Sequence, residues 1–166
     1  MKTLGIDIGG SFIKFGVLDD EIIDNQEIAN TAKSISEFNN LIAPILQKFT
    51  SKYEIAAIGI GFPGAISING LIISAPNMPY WTNQNLSDLF SNYVNNIPIF
   101  FQNDAYFAGF AEAKLNELDE YYFITLGTGI GSVLVRDRQI VTSKNNFSGE
   151  LGHIIINFNE KGDNFR

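Results

Sequence analysis

Asp7 stands two residues ahead of the run Gly9-Gly10-Ser11. Glycines in such a place let the backbone come close to a ligand and expose N–H groups, which suits phosphate oxygens. A carboxylate beside them would repel bare phosphate, so Asp7 fits this chemistry when a Mg²⁺ ion stands between the two. Taken alone, the stretch also reads as an ordinary hairpin turn with a solvated Asp7. It opens onto a second strand and not a helix, which separates it from the dinucleotide-binding fingerprint. Gly127-Thr128-Gly129-Ile130-Gly131 is similar in kind, with a tight hairpin as the plain alternative.

Asp104 ends the stretch Gln102-Asn103-Asp104, after an apolar run and before an Ala- and Phe-rich segment. Ligands gather at the carboxyl ends of parallel strands, and a carboxylate there can take a hydroxyl proton as the oxygen attacks. The same residue also suits a helix N-cap, and the two roles are compatible. Glu150 and His153 stand three apart around Gly152, a pair able to bond a polyol or ligate a metal. His153 is the single histidine of the chain, and a plain packed or surface histidine is the alternative. Asn77 to Trp81 and Gly61-Phe62-Pro63-Gly64 supply an amide, a rigid turn and aromatic faces, which contact sugars or simply pack.

The elements that must position these residues follow from hydrophobic period. Leu4–Ile8, Phe12–Leu18 and Ile22-Ile23 read as three strands whose short connections require an antiparallel meander. Ser34-Ile35-Ser36-Glu37 has the capping-box pattern, and Phe38, Leu41, Ile42, Ile45, Leu46 and Phe49 follow at helical spacing, predicting a helix from about Ser36 to Tyr53. That helix leads into a strand at Ile55–Ile60, as a crossover to a parallel neighbour would. A hairpin around Asn69-Gly70, a helix capped by Asn85, a strand at Ile97–Phe101 and a helix from Ala105 to Asn116 come next. From Tyr121 the meander resumes through Phe123–Leu126, Val133–Val135 and Ile140-Val141. A strand, a glycine break and a returning strand thus occur twice, which predicts the opening of a second lobe near residue 118.

The chain has 166 residues, 45% hydrophobic and 17% charged, enough to build a sizeable core and to exclude disorder over most of its length. A net charge of −7 without a basic cluster argues against nucleic acid or an anionic membrane as a partner. There is no cysteine, so no disulfide or thiolate site, and no signal-peptide pattern; the reading is a cytoplasmic protein.

Five segments, in chain order, resemble motifs of the ROK family (repressors, open reading frames, sugar kinases) of the actin-like/hexokinase superfamily. They are Ile6–Lys14, Gly61–Gly64 with Asn77–Trp81, Gln102–Ala105, Thr125–Gly131 and Gly149–His153. The resemblance implies an α/β fold of the actin-like ATPase (ribonuclease H-like) kind, a mixed sheet with helices. Residues 1–117 would form the N-terminal lobe and residues 118–166 the incomplete start of a C-terminal lobe. It implies ATP-dependent phosphorylation of a hexose, glucose being the first candidate, with Asp104 as the base. Asn77, Asn103, Asp104, Glu150 and His153 would meet the sugar. Gly9, Gly10, Ser11, Lys14, Gly127, Thr128 and Gly129 would hold the nucleotide, and Asp7 would reach Mg²⁺ through water.

Family members continue from the Gly-His pair into a cysteine-rich zinc motif. Here thirteen residues follow His153 and none is cysteine. Zinc at His153 is therefore implied only if such a motif lies downstream, and this chain does not support it. The reading expects a truncated chain, weak or inactive alone, from a protein that is a homodimer at full length. The alternative is a sugar-sensing effector domain of a ROK-type repressor. No residue decides which sugar is taken.

Overall fold

In the computed structural model the described residues are 1–94, 96–127, 130–142, 149 and 151–154, with His153 described in its backbone only. They form two compact units, Met1–Asp104 and Ala105–Arg166.

The first unit is built on a five-stranded mixed sheet. β1 (Lys2–Ile8), β2 (Phe12–Asp19) and β3 (Glu21–Ala29) make the expected antiparallel meander. Helix α1 (Ile35–Lys52) then carries the chain over to β4 (Ile55–Phe62), which pairs with β1 in parallel. A two-stranded ribbon, β5 (Ala65–Ile66) and β6 (Ile72–Ser74), a 3₁₀ turn at Pro79–Trp81 and the short helix α2 (Leu86–Ser91) precede β7 (Ile99–Asn103), parallel to β4. The strand order is β3-β2-β1-β4-β7.

The third strand is longer than its sequence suggests. Only Ile22-Ile23 carries a strand pattern, yet the ladder with β2 runs from Phe12↔Ala29 to Asp19↔Glu21. Asp24 to Glu27 are poor strand formers, but on an edge strand they face water on one side while the partner strand supplies the hydrogen bonds. Asp20, at φ 67, makes the sharp reversal, a conformation that Asp tolerates better than most residues.

α1 starts as its cap pattern requires, with a variation. Ser34 Oγ accepts from the Glu37 N–H at 3.2 Å, while Glu37 Oε2 accepts from the Lys33 N–H at 2.8 Å in place of the cap residue's own. Its apolar stripe of Phe38, Ile42, Ile45, Leu46 and Phe49 is buried against one face of the sheet, that of Leu4, Ile6, Ile8, Ile13 and Phe15. Trp81 closes this core. Its ring meets Phe38 edge-on at 4.6 Å and Phe62 at 5.6 Å, and it is fully buried.

The second unit packs α3 (Asp104–Asn116) on the meander β8 (Glu120–Leu126), β9 (Ile130–Arg136) and β10 (Gln139–Ile140), through Ala105, Tyr106, Ala113, Val133 and Val135. A 3₁₀ turn follows at Leu151–His153. No helix among the described residues is long and apolar enough to cross a membrane.

Because Trp81 fills the space between α1 and β4, Trp81→Ala should cost about 3–5 kcal/mol of stability. Urea unfolding of the two proteins checks this, and a loss below about 1 kcal/mol would contradict the packing described.

Candidate active site

The parallel strands end together. Register pairs Asp7 with Gly61 across β1 and β4, and Gly61 with Gln102 across β4 and β7. On the other side Asp7 faces Lys14 of β2. Side chains alternate along a strand, so Asp7 points away from the buried face of Ile6 and Ile8. The preceding row on that open face is Gly16, Gly5, Gly59 and Phe100. Asp104 follows directly on β7, at the N-terminus of α3 and half-buried.

These two carboxylates share one electrostatic environment. The Asp7 carboxyl is held above its ordinary value of 3.8, first by desolvation, then by repulsion from Asp104, with Lys14 opposing both. Lys14 is in turn 3.8 Å from Glu27, which draws part of its charge toward β3. Among the described residues no group of three or more acidic, His or Cys side chains could hold a metal. A divalent cation at Asp7 fits where ligand phosphate oxygens complete its shell, the usual way Mg²⁺ is held in phosphoryl-transfer sites.

The loop after β1 is a tight reversal closed by the Gly9 N–H donating to Phe12 O at 2.8 Å. A Cβ on Gly9 would lie 2.7 Å from that same oxygen, so glycine is required there by the backbone itself. Gly10 differs: a Cβ there would meet nothing within 4 Å. Gly10 and Ser11 are exposed, and among the described residues their N–H groups have no protein acceptor. They are therefore the donors of this loop that remain for a ligand.

Two asparagines fasten the surrounding loops. Asn103 Nδ2 donates to Gly64 O at 3.2 Å, joining the end of β7 to the Gly61–Gly64 turn. Gln102 Oε1 accepts from the Asn103 N–H at 2.8 Å. Asn30, just past β3, donates from Nδ2 to Gly9 O at 2.7 Å and from its N–H to Ser11 O at 2.8 Å. Its Nδ2 also lies 3.9 Å from Met78 Sδ, beside the exposed Asn77. Sequence reasoning missed Asn30, because nothing near it in the chain marks it; its partner lies twenty-one residues earlier.

The first unit thus brings together Asp7, Gly10, Ser11, Lys14, Asn103 and Asp104. Gly127 is exposed at the end of β8 in the second unit. Thr128, Gly129, Glu150 and the His153 side chain lie outside the described residues.

The mixed-sheet α/β architecture is that of the actin-like ATPase fold, shared with solved ROK sugar kinases. The chain belongs to the ROK family, whose pattern matches residues 3–163. It is 33% identical to a glucokinase of Halalkalibacterium halodurans over 92% of this chain and 49% of the relative. A xylose repressor of Bacillus spizizenii is 27% identical over 95% of this chain and 43% of its own. Among solved structures, a ROK family glucokinase from Streptomyces griseus in complex with glucose and AMPPNP superimposes with a TM-score of 0.82 at 27% identity, covering 94% of this chain and 51% of that one. The chain spans about half the length of the relatives it matches.

The raised Asp7 carboxyl has a consequence for stability. The folded state holds this proton more tightly than the unfolded chain, so the Asp7 contribution falls as pH rises from 3.8 through the raised folded value. Asp7→Asn should remove that fall and be more stable than the parent at neutral pH, with no gain below pH 3.8. Thermal melts across the acid range check this, and an Asn variant less stable at neutral pH would contradict it.

Proposed function

We propose that the protein is a sugar kinase that transfers the γ-phosphate of ATP to a hydroxyl of a hexose, with glucose the first candidate. The observation that carries this reading is the pair of carboxylates, Asp7 and Asp104, beside a hairpin with two N–H groups available for phosphate. Glucokinases among the relatives support it.

In this reading the Asp104 carboxylate takes the proton from the attacking sugar hydroxyl. The oxygen forms its bond to the γ-phosphorus while the bond to the β-phosphate oxygen breaks and ADP departs. Gly10 and Ser11 donate to phosphate oxygens, and Asn103 holds a ring hydroxyl. Asp7 would hold Mg²⁺, which when bound offsets charge on the phosphates. Lys14, paired with Asp7 across β1 and β2, would steer the nucleotide, and Asn77 the sugar. Gly127, Thr128 and Gly129 would complete the phosphate clamp, and Glu150 and His153 the sugar contacts. Residues 1–117 serve as the first lobe in this account and residues 118–166 as the start of a second. Zinc at His153 would require ligands that this cysteine-free chain does not supply.

The second reading is the sugar-sensing domain of a ROK repressor, favoured by the similarity to the xylose repressor over almost all of this chain. The two readings part at turnover: a sensor binds sugar without consuming ATP.

A panel of hexoses with ATP and Mg²⁺ tests the proposal. Asp104→Asn should lower turnover by about 10²–10⁴-fold while sugar binding persists, as expected for loss of a general base. Retained turnover in that variant would contradict the assignment. Gly10→Ala should weaken nucleotide binding by about tenfold, roughly 1.4 kcal/mol. Its melting temperature should not fall, because the methyl has open space around it in the free protein. Unchanged nucleotide affinity would remove this loop from the phosphate site.

A further inference from the structure

We infer that Ser132 is a positioning residue that fixes the Gly149–His153 segment for sugar recognition, an inference that rests on the phosphotransfer reading above. Ser132 is buried, at 2% exposure, the one polar side chain so placed among the described residues once the aromatic Tyr106 and Trp81 are set apart. A buried hydroxyl is costly unless its donor and acceptor are both used. Here both are. Ser132 Oγ accepts from the Leu151 N–H at 2.7 Å and donates to the carbonyl oxygen of Gly149. The two partners are the immediate chain neighbours of Glu150, one on each side.

Two glycines let the backbone come near enough for those bonds. Gly149 has φ +74, and a Cβ there would lie 3.0 Å from the Leu134 nitrogen. At Gly152 a Cβ would lie 2.2 Å from Ile130 O. Along β9, Gly149 therefore lies beside Leu134, Leu151 on Ser132 and Gly152 on Ile130. β9 itself begins directly after the Gly127-Thr128-Gly129 motif. One strand thus follows the second glycine motif and bonds the backbone at Gly149 and Leu151, on either side of Glu150 in the chain, and its hydroxyl is the anchor. Side chains that orient the backbone under a binding group act on affinity through that group and not by touching ligand.

The test compares Ser132→Ala and Ser132→Thr with the parent chain. Removing the hydroxyl leaves the Leu151 N–H and the Gly149 carbonyl with only their mutual bond of 2.7 Å and takes away the link of both to β9, whereas threonine keeps the hydroxyl and suits a strand. Amide hydrogen exchange at Leu151, followed by NMR, reads the anchoring; titrations with glucose and with AMPPNP read its effect on each ligand. In Ser132→Ala, Leu151 exchange should rise and glucose affinity fall by about tenfold each, with AMPPNP affinity within about twofold of the parent. Ser132→Thr should restore both. Unchanged Leu151 exchange, unchanged glucose affinity, or an equal loss for both ligands would overturn the inference. A parent chain that binds no glucose would overturn the glucose reading, and Leu151 exchange would then decide the anchoring by itself.

Discussion

Everything proposed for the first unit depends on the register of three parallel strands. β1, β4 and β7 are paired so that Asp7, Gly61 and Gln102 lie in one row, and the residues after that row supply both the glycine hairpin and Asp104. A shift by one residue would turn Asp7 into the core and bring Ile6 or Ile8 to the open face. The core prevents such a shift. Leu4, Ile6, Ile8, Ile58, Ile60 and Phe62 are buried against α1, and Trp81 locks that layer between Phe38 and Phe62. The apolar pattern on one face thereby fixes the chemistry on the other.

The open face gathers like charges. Asp7 and Asp104 repel one another, and Lys14 offsets this only in part because Glu27 draws on the same ammonium. An arrangement that costs stability in the free protein and is relieved by a cation or a proton is common where phosphates are handled. The amide staples belong to the same design. Asn30 holds Gly9 and Ser11, and Asn103 holds Gly64, so the loops that would meet a ligand are fixed by side chains from other elements. Rigid placement is the main protein contribution in phosphoryl transfer.

Much of this was legible in the sequence, for physical reasons. The helical stripe from Phe38 to Phe49, the apolar runs of β1, β2 and β4 and the Asn85 cap declare themselves through local period and local hydrogen bonding. Asp7 and Asp104 stand out because glycines or strand ends adjoin them. β3 was only partly legible, since its polar half is held by pairing with β2 and not by its own propensity. Asn30 and Ser132 were not legible at all. Each acts on a partner far along the chain, Gly9 for one and Gly149 with Leu151 for the other, and neither sits in a pattern that marks it.

The central claim is that two strand ends bring Asp7 and Asp104 into one site. Its most direct measurement is an NMR titration of the Asp7 side-chain carboxyl carbon in the parent chain and in Asp104→Asn. With the repulsion gone, the Asp7 value should move down toward the ordinary 3.8 while remaining above it, since desolvation is the larger cause. An Asp7 titration identical in the two proteins would show that the carboxylates do not share a site, and the account would fail.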